Sequence, residues 1–191
     1  MIDRPAEGVN FLQSVIIPRK GIQEIKKVLE GNDESARISI GDGFFTVESN
    51  NVTLGIRLVD GQFPDYKQVV PTEHKTEVSL SRTDLITAIK RVAIVTTDKT
   101  RAVKCKFAEN NTLLISSSSA EYGEASECID IEHSGEEVTI GFSSRYVIDL
   151  LSAMSESNTI TVKLNGDLGP GLFMGDKNEA YNGIVMPMRF E

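Results

Sequence analysis

The sequence predicts an α+β fold built from repeated strand-helix-strand-strand-strand units. Two observations predict it. One order of patterns recurs three times along the 191 residues: an apolar run, a stretch with apolar residues at three- and four-residue spacing, then three short strand-like runs. Turn residues such as Asp42-Gly43, Asn50-Asn51 and Glu109-Asn110-Asn111 separate those runs.

The first unit opens with Ser14-Val15-Ile16-Ile17-Pro18 as a strand. Residues 19–30 form its helix, with Ile22, Ile25, Val28 and Leu29 at helical spacing, and Gly31-Asn32-Asp33 ends it. Strands follow at 36–40, 44–47 and 52–59. The second unit opens with Glu77-Val78-Ser79-Leu80. Its helix begins at 81 or 82 and runs to about 96, burying Leu85, Ile86, Ile89, Val92 and Ala93, with Asp84 near the positive end of the helix dipole. Its strands lie at 102–108, 112–118 and 122–131. The third unit has a strand at 137–142 and a helix at 144–154, with Val147, Leu150, Leu151 and Met154 inward. Strands at 159–164, 171–174 and 183–188 complete it. One such unit cannot bury both its sheet and its helix, but two back to back can. Units two and three are therefore expected to make one domain, 74–191, joined by the polar Glu73-His74-Lys75 to residues 1–73. The first unit is left as a half-domain, which implies a natural protein longer at its N-terminus.

Composition excludes several classes. Hydrophobic residues are 40% and charged residues 25% of the chain, as in an ordinary globular protein. No apolar run approaches the roughly 20 residues that span a bilayer, and residues 1–5 hold no signal core, so a cytoplasmic location is expected. Cys105 and Cys128 make no disulfide framework, and with His74 and His133 they show no zinc spacing. Cys105 lies in an alternating run and reads as a buried thiol. There is no phosphate-binding loop, nucleophile elbow or His-Glu-x-x-His helix. Both histidines sit in polar stretches, so no catalytic, metal or cofactor site is expected.

Charge is unevenly placed. The chain is −8 overall, a poor start for a DNA-binding protein. Yet the first helix carries four basic against two acidic residues, and the second carries Arg82, Lys90 and Arg91 against Asp84. By itself this pattern is better read as a solvated helix face.

Three stretches narrow the choice: residues 14–21, Leu58-Val59-Asp60-Gly61-Gln62-Phe63-Pro64-Asp65-Tyr66, and Val185-Met186-Pro187-Met188-Arg189-Phe190. In this order and spacing the chain resembles the bacterial DNA sliding clamps, the beta subunit of DNA polymerase III, over essentially its whole length. The resemblance implies the DNA clamp fold and a non-enzymatic function: holding polymerase on DNA as a processivity factor. Residues 1–73 then correspond to the C-terminal half of the middle domain and 74–191 to a complete C-terminal domain.

The resemblance also implies sites. In clamps the helices face the duplex, which assigns Arg19, Lys20, Lys27, Lys90 and Arg91 to sequence-independent attraction for double-stranded DNA. Clamps bind peptides of polymerases and other clamp-binding proteins in an apolar groove beside the C-terminus. Carried over residue by residue, that groove comprises Pro64, Val69, Ser143, Tyr146, Leu168, Pro170, Ile184, Met186, Pro187, Met188 and Arg189. Methionine suits such a surface because its thioether repacks easily. Residues 184–188 also read as a closing core strand, and some of them serve packing. Ser143 and Gln68 stand at polar rim positions where some relatives carry Asn and Arg. The family's Thr-Asp-Gly-His-Arg-Leu segment, one wall of the groove, would precede Met1, which implies an open side and reduced affinity. Ile94 and Val95 match positions that enter the partner subunit's first domain in the homodimeric ring; the alternative is two more core residues. This shorter chain is not expected to close a ring. A separate ATPase clamp loader is the remaining partner implied.

Overall fold

The computed structural model describes residues 14–30, 35–63, 70–71, 73–96, 101–177 and 181–189. These fall into two compact units, one within Ala6–Asp65 and one within Tyr66–Glu191.

In the smaller unit, α1 (Arg19–Leu29) is followed by an antiparallel sheet ordered β1 (Arg37–Gly41), β2 (Phe44–Ser49), β3 (Val52–Arg57). Alternation along β2 buries Phe45, Val47 and Ser49. Together with Ile56, the first two form a small core. Gly21 lets α1 approach that core: a Cβ there would lie 2.6 Å from Ile56 Cγ2. The helical stripe is only partly used. Ile22 remains 50% and Leu29 38% exposed, because α1 has one sheet to pack on and its apolar arc is wider than the face it covers. The expected strand at 14–18 makes a single antiparallel bridge, Ile16 to Val59.

The larger unit holds two interleaved halves. One half supplies β4 (Thr76–Ser81), α2 (Arg82–Val92), a 3-10 turn at Ala93–Val95, β5 (Ala102–Ala108), β6 (Thr112–Ser119), β7 (Gly123–Asp130) and β8 (Glu132–Gly135). The other supplies β9 (Val138–Ser143), α3 (Ser144–Ala153), β10 (Thr159–Leu164), β11 (Gly171–Gly175) and β12 (Asn182–Val185). The sheets run β12-β11-β10-β4-β8 and β7-β6-β5-β9. Each half thus lends its first strand to the other half's sheet: β4 pairs with β10, and β9 with β5. The core includes Leu85, Ile89, Val92, Val103, Ile115, Phe142, Leu151 and Ile160. Phe142 and Phe173 meet edge to face at 5.8 Å.

Three expectations shift. The second helix stops at Val92 and tightens into the 3-10 turn, where Ser117 Oγ donates to Val92 O at 2.7 Å. The run 122–131 breaks at the buried Ile131 into two strands in different sheets, and His133 lies on β8 rather than in a linker. The last strand ends at Val185. Pro187 has no N–H to give a ladder, and Met188 N–H donates to Gly141 O at 2.8 Å instead.

Candidate functional site: an apolar surface around the C-terminal tail

Three elements of the larger unit converge on the tail. β12 is an edge strand whose residues pair Gly171 with Val185 and Leu172 with Ile184. Alternation sends Val185 inward, 5% exposed, and turns Ile184 and Met186 to the other face. The Met188–Gly141 hydrogen bond then lays the tail along the free edge of β9. β9 runs directly into α3, with Ser143 as N-cap. α3 also packs on β12, where the absence of a side chain at Gly183 makes room for Leu150.

The result is a set of large apolar side chains left in solvent: Tyr146 at 65%, Leu168 at 71% and Met186 at 58%. Pro170, Ile184, Pro187 and Met188 are half-buried, and Arg189 is exposed. Large apolar side chains left in solvent are the usual material of docking surfaces. Ser143 departs from its expected rim position. It is 8% exposed, and its Oγ accepts from Tyr146 N–H at 3.5 Å, so it orients the start of α3 instead of lining the surface. Ser144 does related work: its Oγ and N–H both donate to Arg101 O, at 2.9 and 2.8 Å. Pro64, Gln68 and Val69 lie outside the described residues. Leu172, opposite Ile184 across β11 and β12, is 9% exposed.

The basic residues divide into two groups. Arg19, Lys20 and Lys90 are exposed and make no ion pair among the described residues. Lys27 holds Glu24 at 2.9 Å, and Arg91 is bound through both Nε, at 2.8 Å, and Nη2 to Glu127 on β7. That pair raises the Arg91 pKa and lowers that of Glu127, each through the hydrogen bond between them. Arg91 thus differs from the expected free cation: its charge is neutralised at the β7 edge. Arg82, counted among the basic helix residues, is structural. Its guanidinium donates to Ser157 O at 2.7 Å and Leu151 O at 3.2 Å, capping the C-terminal end of α3.

Ile94 is 77% exposed and Val95 half-buried, both in the 3-10 turn that packs on β7. β7 is a sheet edge, so exposed apolar side chain and open ladder lie together. A cleft of about 360 Å³ near this turn, lined by Thr96, Ser144, Arg145, Ile148 and Asp149 among others, had no signal in the sequence. Burial pushes the Cys105 thiol up to about 12, so it stays protonated and inert. Among the described residues no group of three His, Cys, Asp or Glu is placed to hold a metal ion. No described helix is long and apolar enough to cross a membrane.

This fold is that of the sliding clamps. The chain superposes on the DNA polymerase III subunit beta of Pseudomonas aeruginosa with a TM-score of 0.84 at 31% identity, covering 92% of this chain and 48% of that one. On a sliding clamp of Bartonella birtlesii bound to griselimycin the TM-score is 0.90 at 30% identity, covering 99% and 51%. In sequence it is 35% identical over 176 residues to the beta sliding clamp of Haemophilus influenzae, covering 92% of this chain and 48% of that protein. Residues 5–65 match the family model of the DNA polymerase III beta subunit central domain, and 67–189 that of its C-terminal domain. The chain belongs to the DNA polymerase III beta subunit family. It spans about half the length of the relatives it matches.

Proposed function

We propose that this chain is the client-docking and DNA-facing part of a replication sliding clamp, a processivity factor that does no chemistry of its own. Residues 1–73 belong to the C-terminal half of a middle domain and 74–191 to a complete C-terminal domain. The observation that carries the reading is the apolar surface of Tyr146, Leu168 and Met186 around a tail fastened to β9. It is the surface on which peptides of DNA polymerase III and other clamp-binding proteins dock. Arg189 stands at its end to meet a peptide carbonyl or carboxylate. Arg19, Lys20 and Lys90 supply the attraction for duplex DNA, with Lys27 and Arg91 contributing less because each already holds a carboxylate. Ile94 and Val95, beside the open β7 edge, form the ring interface of the longer homodimer. Loading by a separate ATPase complex leaves this chain with no need of a nucleotide or metal site, and its place of action is the cytoplasm.

A second reading, a free peptide-binding module that does not encircle DNA, has support of its own: every described groove residue lies within one compact unit. Two assays separate them. Retention on closed circular duplex DNA, released by linearisation, identifies encirclement. Peptide binding by fluorescence polarisation without such retention identifies the module. Loss of both would end either reading.

A further inference from the structure

Two arginines from separate parts of the chain meet at one cleft. It lies in the larger unit, between the turn that ends α2 and the first turns of α3, and has a volume of about 360 Å³. Ala93 and Ile148 give it an apolar lining, and both are half-buried. Arg101, Arg145 and Asp149 also line it and are exposed. Two guanidinium groups against one carboxylate leave the cleft positive in a chain that is −8 overall. These arginines differ from the others of the same unit. Arg82 is engaged by two carbonyl groups and Arg91 by both oxygens of Glu127. Arg145 faces Asp149 at 3.8 Å, with the two side chains 54% and 64% exposed, a pairing that holds a side chain weakly. Arg101 is fixed through its backbone. Its φ is +36°, a conformation that favours glycine, and its carbonyl accepts from both Ser144 Oγ and Ser144 N–H, at 2.9 and 2.8 Å. Those bonds survive a change of side chain. Ala93 follows the exposed Lys90 by three residues, so the cleft opens beside the face of α2 that carries Lys90.

We propose that this cleft seats a backbone phosphate of duplex DNA between the guanidinium groups of Arg101 and Arg145, while Lys90 meets a neighbouring phosphate of the same strand. The seat rests on the DNA-facing role proposed above for Lys90 and adds a shaped contact to it. A guanidinium presents paired N–H donors that match phosphate oxygens, and the space admits a phosphate with part of its sugar against Ala93 and Ile148. Asp149 keeps the contact weak, because its carboxylate repels the phosphate that Arg145 attracts. A weak contact to phosphate alone reads no sequence and breaks easily, as movement along DNA requires.

NMR of the intact chain in low salt tests this, with titration by a short blunt-ended DNA duplex and separately by inorganic phosphate. With the duplex, the amides of Arg101, Ser144 and Ile148 and the Arg145 Nε–H should shift together with the amide of Lys90. Arg101→Ala and Arg145→Gln should each lower duplex affinity about threefold and reduce the salt slope by about one, with circular dichroism unchanged. Asp149→Asn should raise the affinity. Should Arg101→Ala unfold the chain, the opposite signs of Arg145→Gln and Asp149→Asn decide. Shifts at Lys90 with none at the cleft overturn the seat and leave the DNA-facing role standing, whereas shifts at neither remove both. Cleft shifts with inorganic phosphate but not with the duplex also overturn it, leaving a site for small anions.

Discussion

Gly183 works through what it lacks. A side chain there would strike Leu150, which would have to shift for β12 to lie on α3. Gly183→Ala is expected to destabilise the protein by about 1–3 kcal/mol, as forced overpacking does, which a melting curve will read. Glu77 gives a pH signature. Lys163 Nζ, at 3.2 Å, holds its carboxyl below the ordinary value of 4.5, with His74 adding to the effect. The folded state therefore favours the ionised form. Its contribution is present above the unfolded value and is lost as pH falls through the lowered folded one. Glu77→Gln should lower Tm at neutral pH, and the two melting curves should converge under strongly acidic conditions. Such residue roles were poorly legible in the sequence. Tyr146, Leu168 and Met186 were assigned from the family resemblance, and the structure leaves all three exposed. Ser143 was placed at the rim from the resemblance, whereas its role as N-cap of α3, at 8% exposed, had no signal in the pattern. The Arg91–Glu127 pair spans elements far apart in the chain, which no local pattern reports.

At the scale of elements, the start of α3 decides where Tyr146 points. Ser143 caps that helix and Ser144 ties it to Arg101. Ser143→Ala should cost about 1 kcal/mol of stability, the usual effect of removing an N-cap. It should also weaken peptide binding more than Ser81→Ala, which removes the equivalent cap from α2, away from the tail. Order and type of the elements were legible, since α2 and α3 announce themselves by spacing and β5 and β10 by alternation. Their ends were less so. The break at Ile131 depends on a transfer between two sheets, and the early end of β12 on a competing bond to Gly141.

At the scale of the whole chain, a net charge of −8 coexists with exposed cations on two helices. Lys20→Glu and Lys90→Glu should each weaken duplex binding across all sequences. Each should also reduce the slope of log affinity against log salt by about one for every phosphate no longer neutralised. The repeat that organises the chain was visible from its first unit. How far that unit buries its apolar residues was not, because burial depends on neighbours that periodicity does not name. The central claim, that the tail surface receives client peptides, is tested most directly by methyl NMR of methionine-labelled protein titrated with a clamp-binding peptide of a bacterial polymerase. Met186 and Met188 should shift together and saturate, while Met154, 5% exposed in the core, stays in place as an internal control. Saturable peptide binding that leaves Met186 and Met188 unmoved would contradict the account.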